Sequence, residues 1–261
     1  MKTSSIRRRM LGLGALAALA IGVLVPVTAF AAPAQPTAGG CAGNVQCIIQ
    51  FGDARIAERQ TALTKTASTI NNELSKGHIT QDQANTLLGY VNEGQTDMTQ
   101  IKTKLDADTD ATTARQDVKA IFENYRIFAV LLPKAHFGLW AAIETNVKDK
   151  LRDLQPKIED AISKAPTSEQ QQLNTLYSDY KAQLSEAESQ IDAAQGQFAT
   201  LTIQTYNTDP TTYKSAFEDC RNDLKAGHAA IKQAASDLHQ IVQIIKSNKT
   251  TATATTTATN S

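Results

Sequence analysis

An apolar seam that recurs every three and four residues runs along the last two long segments of this 261-residue chain. That spacing keeps side chains on one stripe of an α-helix, and a sustained stripe is typical of helices that pack as in coiled coils. The two seams are Leu173, Tyr177, Tyr180, Leu184, Ala187, Ile191, Ala194, Phe198 and Leu201, and Tyr213, Phe217, Cys220, Leu224, Gly227, Ile231, Ala234, Leu238, Ile241 and Ile245. Each predicted helix needs a partner, because one amphipathic helix cannot bury its own seam.

The rest of the chain carries the same periodicity, and no segment alternates as a strand does. We predict about six helices and an all-α fold, an elongated antiparallel helical bundle with coiled-coil-like packing. Two successive three-helix bundles, residues 44–132 and 133–247, are the simplest division, and a single elongated bundle is the alternative. Sustained seams also pair between chains, so a dimer remains open.

Capping residues and prolines mark the predicted helix boundaries. Thr80 with Gln83 forms a capping box. Asp209 is a good N-cap for a helix that starts at the proline following it. Pro133 predicts a break at the residue before it, and Pro156 predicts a kink in the fourth helix.

Residues 1–31 have the pattern of an export signal. Lys2 and Arg7–Arg9 form a positive start, Leu11–Val25 is an apolar run, and Ala29–Ala31 offers small residues at the cleavage positions. The apolar run is short for a bilayer span, which favours cleavage near Ala31 over an uncleaved anchor. We therefore expect the protein to be secreted or associated with the cell envelope.

The two ends of the mature chain have compositions that build no core. Residues 32–43 are rich in Ala, Pro, Thr and Gly and are predicted to be a flexible lead-in. Residues 248–261 are almost all Thr and Ala and are predicted to be a disordered tail. Loss of the signal leaves 22 basic and 26 acidic residues, a net charge of −4, so we expect no nucleic-acid partner.

The chain has three cysteines, and two of them are close together after the signal. In an exported protein Cys41 and Cys47 could close a small disulfide loop before the first helix settles. Cys220 occupies a seam position, which favours a buried, unreactive thiol. A bridge from Cys220 to the N-terminal segment is the alternative, and the odd count leaves one free thiol or an intermolecular bond.

The motifs of common exported enzymes are missing: the sequence has no H-E-x-x-H, no G-x-S-x-G, no phosphate loop and no C-x-x-C. Asp106, Asp108 and Asp110 resemble the start of a calcium loop, but the turn glycine is missing. We interpret these acids as the cap of the next helix. The sequence therefore predicts a protein that is not an enzyme and has no cofactor and no metal.

Residues 127–143 are the most apolar stretch after the signal, and they contain the only Trp. We favour a buried crossing of helices at a proline bend. The alternative is a membrane-active segment that leaves the bundle on contact with lipid, an architecture similar to that of helical pore-forming toxins, although fold analogy is weak ground for function. The residues that would form this core or membrane segment are Phe128, Leu131, Leu132, Pro133, Phe137 and Trp140.

Three short blocks, Asp108–Asp110, Tyr125–Phe128 and Leu132–Lys134, form a pattern in the middle of the chain. With the spacing of apolar positions between residues 55 and 161, this pattern resembles that of uncharacterised exported helical proteins of bacteria. The resemblance implies export and an all-α fold, and it implies no activity.

The sequence-based expectation is an exported, non-catalytic structural or interaction module. Its partner would be a protein or a cell-envelope polymer that engages a helix face. The alternatives are a membrane-active protein that uses residues 127–143 and a carrier that holds an apolar ligand between helices.

Overall fold

The computed structural model describes the backbone of residues 38–258 and the side chains of residues 40–247. Almost all of the described part is helical and it has no strands, so the prediction of an all-α fold is confirmed. The predicted signal, residues 1–31, lies outside the described residues. The eight α-helices of the described part are α1 (Val45–Ser75), α2 (Gln81–Asp106), α3 (Ala111–Glu123), α4 (Leu132–Arg152), α5 (Gln155–Ser163), α6 (Thr167–Ala199), α7 (Ile203–Thr208) and α8 (Pro210–Ala258).

Backbone contacts divide the described chain into two compact units. The large unit contains residues 38–146 and 191–224, and the small unit contains residues 147–190 and 225–258. The sequence predicts a different division, at residues 132 and 133. The difference arises because α4, α6 and α8 each contribute residues to both units, so no single loop separates them.

In the large unit, α1 and α2 form an antiparallel pair. A Cβ built on Gly52 would lie 2.3 Å from Leu105, and one built on Gly94 would lie 3.0 Å from Leu63, so residue numbers rise on one helix as they fall on the other. Gly77 makes the turn between them with a φ of +68°, a conformation that favours glycine. The capping box of Thr80 starts α2, as the sequence predicts.

The chain from α3 into α4 lies along the same pair and runs parallel to α1. Val118 is close to Gly52, and the Phe122 ring lies 4.5 Å from the Arg59 guanidinium. Further along both segments, Thr66 is 3.4 Å from His136. The apolar residues 127–143 therefore lie beside both helices of the pair.

The predicted break at Pro133 is wrong in its position. The helix instead breaks at residues 124–126, where Arg126 adopts a left-handed φ of +42°. A π-turn, Ile127–Leu131, then leads directly into α4, and the Leu132 amide donates to the Ile127 carbonyl five residues back. Pro133 is the second residue of α4 and follows directly after this π-turn.

In the small unit, α5 is a separate helix. Pro156 is in its first turn, and the chain turns at residues 153–154, so the predicted kink is a full break. The Tyr180 hydroxyl on α6 donates to the Leu151 carbonyl of α4. The Tyr177 hydroxyl donates to Glu159 of α5 at 2.7 Å.

The predicted seam positions of α6 and α8 are buried, except for the half-buried Phe217 and Ile245. The structure also differs from the sequence-based prediction in two segments that were expected to be flexible or disordered. Ala38–Cys41 forms a 3-10 turn within the predicted lead-in. The α8 backbone continues through the predicted tail to Ala258, since each added helical residue gains one hydrogen bond.

Candidate functional site

The predicted segment 127–143 forms the centre of the large unit, and none of its residues is exposed. Within the described residues, the helical stretch Ala111–Ser163 is long and apolar enough to cross a membrane, but 67% of its most apolar window is buried. Buried core helices of soluble proteins have the same length and composition, so this stretch gives only weak support for a membrane span. Four of the six predicted site residues are buried, namely Leu131, Leu132, Phe137 and Trp140. The other two, Phe128 and Pro133, are half-buried.

Trp140 is fixed inside this segment. Its side chain is 3% exposed, and its indole N–H donates to Glu144 at 3.0 Å. A buried indole is costly unless its N–H is bonded, and Glu144 meets that need one helical turn away. Gly138 lets Leu87 approach, because a Cβ there would lie 2.7 Å from a Leu87 methyl carbon.

An aromatic cluster extends from this segment to the connection between α6 and α8. The rings of Phe137 and Phe198 stack with their centroids 4.1 Å apart, and Phe217 lies 5.8 Å from Phe198. Tyr213 stacks on Phe217 at 6.4 Å, and Tyr206 meets Tyr213 edge-on at 5.1 Å. We call these five residues the aromatic cluster.

Lys134 is the one lysine of segment 127–143, and aromatic rings surround its ammonium group. Nζ lies 5.2 Å from the Tyr90 ring centroid and 5.9 Å from that of Phe198. The same group is 3.4 Å from the carbonyl oxygen of Leu201, which lies just beyond the end of α6. Cation–π attraction and this carbonyl let the charge remain at the edge of an apolar region.

Arg59 is a buried cation that sequence analysis missed. Its side chain is 4% exposed, and its guanidinium lies 4.5 Å from the Phe122 centroid and 5.1 Å from that of Phe128. It donates to the Arg55 carbonyl at 2.9 Å, and its Nε has no hydrogen-bond partner among the described residues. Burial lowers the pKa of Arg59 to about 10. Its attraction to two rings offsets part of the cost of desolvation.

Arg126 and Asn207 join the α3–α4 bend to α7. The Arg126 Nε donates to the Asn207 side-chain oxygen at 2.7 Å, and the Asn207 amide donates to the Glu123 carbonyl at 3.1 Å. The Arg126 guanidinium also lies 5.1 Å from the centroid of the Tyr206 ring. We call this set of contacts the latch.

Of the three acids predicted to cap α3, only Asp110 does so, and Asp106 pairs with Lys102 instead. One carboxylate oxygen of Asp108 is buried and has no hydrogen-bond partner among the described residues. Asp110 caps α3 by accepting from the amides of Thr112 and Thr113 at 2.8 and 3.0 Å. Lys102 donates to Asp106 at 3.0 Å. Within the described residues, no group of three or more His, Cys, Asp and Glu is placed to hold a metal ion.

The structure contains a disulfide between Cys41 and Cys47, which ties the 3-10 turn to the first turn of α1. Cys220 is a buried free thiol. Burial raises the pKa of Cys220 to about 11, so little reactive thiolate forms near neutral pH.

Comparison of the chain with protein-family models, curated proteins and solved structures found no match.

Proposed function

We propose that this protein is an exported, non-catalytic module that serves as a structural element or binds a protein or polymer of the cell envelope through exposed helix faces. The proposal rests on the burial of residues 127–143, the most apolar segment after the predicted signal. Residues 127–143 are used as core and have no exposed residue, so binding falls to the polar outer faces of the helices. The export pattern of residues 1–31 supports the envelope location.

The ionisable side chains support the same proposal. Asp110 caps a helix, Lys102 links Asp53 to Asp106, and Glu188 binds two basic residues. Such groups stabilise helix ends and helix contacts, whereas a catalytic site brings titratable groups together in a cleft.

The experiment uses purified residues 32–261 mixed with the envelope fraction of the producing cell. We expect saturable co-sedimentation that a tenfold excess of unlabelled protein displaces. Protein that stays in the supernatant would contradict binding to the envelope. A hydrolytic activity that one substitution abolishes would contradict the non-catalytic role.

A membrane-active role is the second candidate, because segment 127–143 lies within the one described stretch that meets the length and composition of a membrane span. This role requires the buried residues to leave the large unit. Binding to liposomes with release of a trapped dye, lost when a charge replaces Leu132, would favour this candidate.

A further inference from the structure

Helix α7 lies at the surface of the large unit. It has six residues, Ile203–Thr208, and none of them is buried. Non-helical residues flank it at 200–202 and at Asp209. Segments with few buried contacts open at low free-energy cost, so α7 is placed to move without unfolding its neighbours.

The latch is the main polar attachment of α7. Asn207 both accepts from Arg126 at 2.7 Å and donates to the Glu123 carbonyl at 3.1 Å, so one amide closes two hydrogen bonds. Arg126 keeps a left-handed φ of +42° while it makes this contact. That conformation is unfavourable for a non-glycine residue, and such strain persists where surrounding contacts hold it.

Tyr206 of α7 contacts a residue whose polar group is unsatisfied. The Tyr206 ring meets the Tyr213 ring at 5.1 Å, and the side chain of Tyr213 is 4% exposed. The Tyr213 hydroxyl is buried and has no hydrogen-bond partner among the described residues. A buried hydroxyl without a partner destabilises the folded protein, and a hydrogen-bond acceptor would remove that cost.

We propose that α7 is a lid held by the Arg126–Asn207 latch, and that the surface it uncovers at Tyr213 binds a flat apolar molecule carrying a hydrogen-bond acceptor. This site goes beyond the proposed envelope-binding role and does not depend on it. Opening moves the Tyr206 ring away from Tyr213 and breaks the two hydrogen bonds of Asn207. A flat ring can take the place of Tyr206, and its acceptor receives the Tyr213 hydroxyl.

The probe is prodan, a flat naphthyl ketone whose emission shifts to the blue in an apolar site. Asn207→Ala removes both latch bonds and should raise the apparent affinity for prodan about tenfold, because a larger fraction of the protein is open. Gln204→Ala is the matched control, since it removes an exposed amide from the same helix and should bind prodan as the unmodified protein does. Tyr213→Phe should weaken binding about fivefold through loss of one hydrogen bond.

Hydrogen exchange of residues 203–208 tests the lid itself. We expect faster exchange there than in α6, and a further increase in Asn207→Ala with the other helices unchanged. Slow exchange in α7 that does not respond to Asn207→Ala would overturn the lid. Absent prodan binding, or equal affinity in the unmodified protein, Asn207→Ala and Tyr213→Phe, would overturn the binding site.

Discussion

Arg152 on α4 and Glu188 on α6 form a two-pronged ion pair within the small unit. The Nη1–Oε1 and Nη2–Oε2 distances are both 2.9 Å, so the planar guanidinium matches both carboxylate oxygens. Lys148 adds a third donor to Glu188 at 3.2 Å, and its own side chain is only 8% exposed. These hydrogen bonds, from Arg152 first and then Lys148, lower the pKa of Glu188 to about 2.

Replacing Glu188 with Gln should destabilise the protein near neutral pH. The folded pKa of about 2 lies below the ordinary 4.5, so the stabilisation is present above pH 4.5 and is lost as pH falls towards 2. Because 40% of the Glu188 side chain is exposed, we expect a screened loss of about 1 kcal/mol at pH 7. Thermal melts at pH 7 and pH 2 measure it, with exposed Glu186→Gln as control. An equal loss at both pH values would contradict the assignment.

Replacing Asp237 with Asn should have the opposite effect. Asp237 is 3% exposed, Gln233 donates to its Oδ1 at 2.9 Å, and its Oδ2 has no partner among the described residues. Burial raises the pKa of Asp237, and the nearby Asp179 raises it further. Above that raised pKa the Asp237 carboxylate is charged and destabilises the folded protein. As the pH falls through the raised pKa, the carboxyl becomes protonated and this destabilisation is lost.

We expect Asp237→Asn to raise the melting temperature at pH 7, with the gain disappearing in acid as the native carboxyl becomes protonated. Melts across this pH range check the prediction, and exposed Asp153→Asn is the control for general charge effects. A lower melting temperature for Asp237→Asn at pH 7 would show that the carboxylate is needed in its charged form.

Three glycines of α1 and α2 make a matched test of the packing in the large unit. A Cβ on Gly52 would lie 2.3 Å from Leu105, and one on Gly94 would lie 2.7 Å from Leu131. Alanine at either position should lower the free energy of unfolding by roughly 1–3 kcal/mol through overpacking. Gly89→Ala is the control, because a Cβ at this position would have no described atom of a neighbouring element within 4 Å. This substitution should stabilise α2 by up to about 1 kcal/mol, since alanine favours a helix over glycine. Urea unfolding of the three variants measures these changes, and equal values would contradict this packing.

Alkylation with iodoacetamide should distinguish the cysteines. The disulfide protects Cys41 and Cys47, and Cys220 is fully buried. We expect no adduct on the native protein, one on the unfolded protein and three after unfolding with reduction, as counted by mass spectrometry. Two or more adducts without reductant would contradict the disulfide, and rapid alkylation of the native protein would contradict the burial of Cys220.

Periodicity and capping chemistry predicted much of the helical structure because they are local. Thr80 and Asp209 start helices as predicted, since each side chain bonds amides two or three residues ahead. The seam of α6 was found because its apolar residues all lie on one stripe. Helix α1 has a corresponding buried stripe, but three of its positions are polar: Arg59, Thr66 and Glu73. The seam position of Arg59 was therefore the sequence signal that its side chain is buried.

The remaining features depend on contacts between distant parts of the chain. Nothing in the local sequence favours a break at Arg126 over Pro133, because Asn207, 81 residues away, helps to hold Arg126 in place. The lid proposal likewise depends on Tyr206 meeting Tyr213 across a turn. A seam indicates that a stripe is buried, but it does not identify which helix covers it.

Trp140 is the one tryptophan of the chain, and its fluorescence reports directly on the burial of residues 127–143. We predict emission shifted to the blue, weak quenching by iodide, and no change when liposomes of zwitterionic and anionic lipid are added, because the side chain is 3% exposed and hydrogen-bonded to Glu144. Emission typical of an exposed indole would contradict the burial. Quenching by brominated lipid together with dye release would show that this segment enters the membrane.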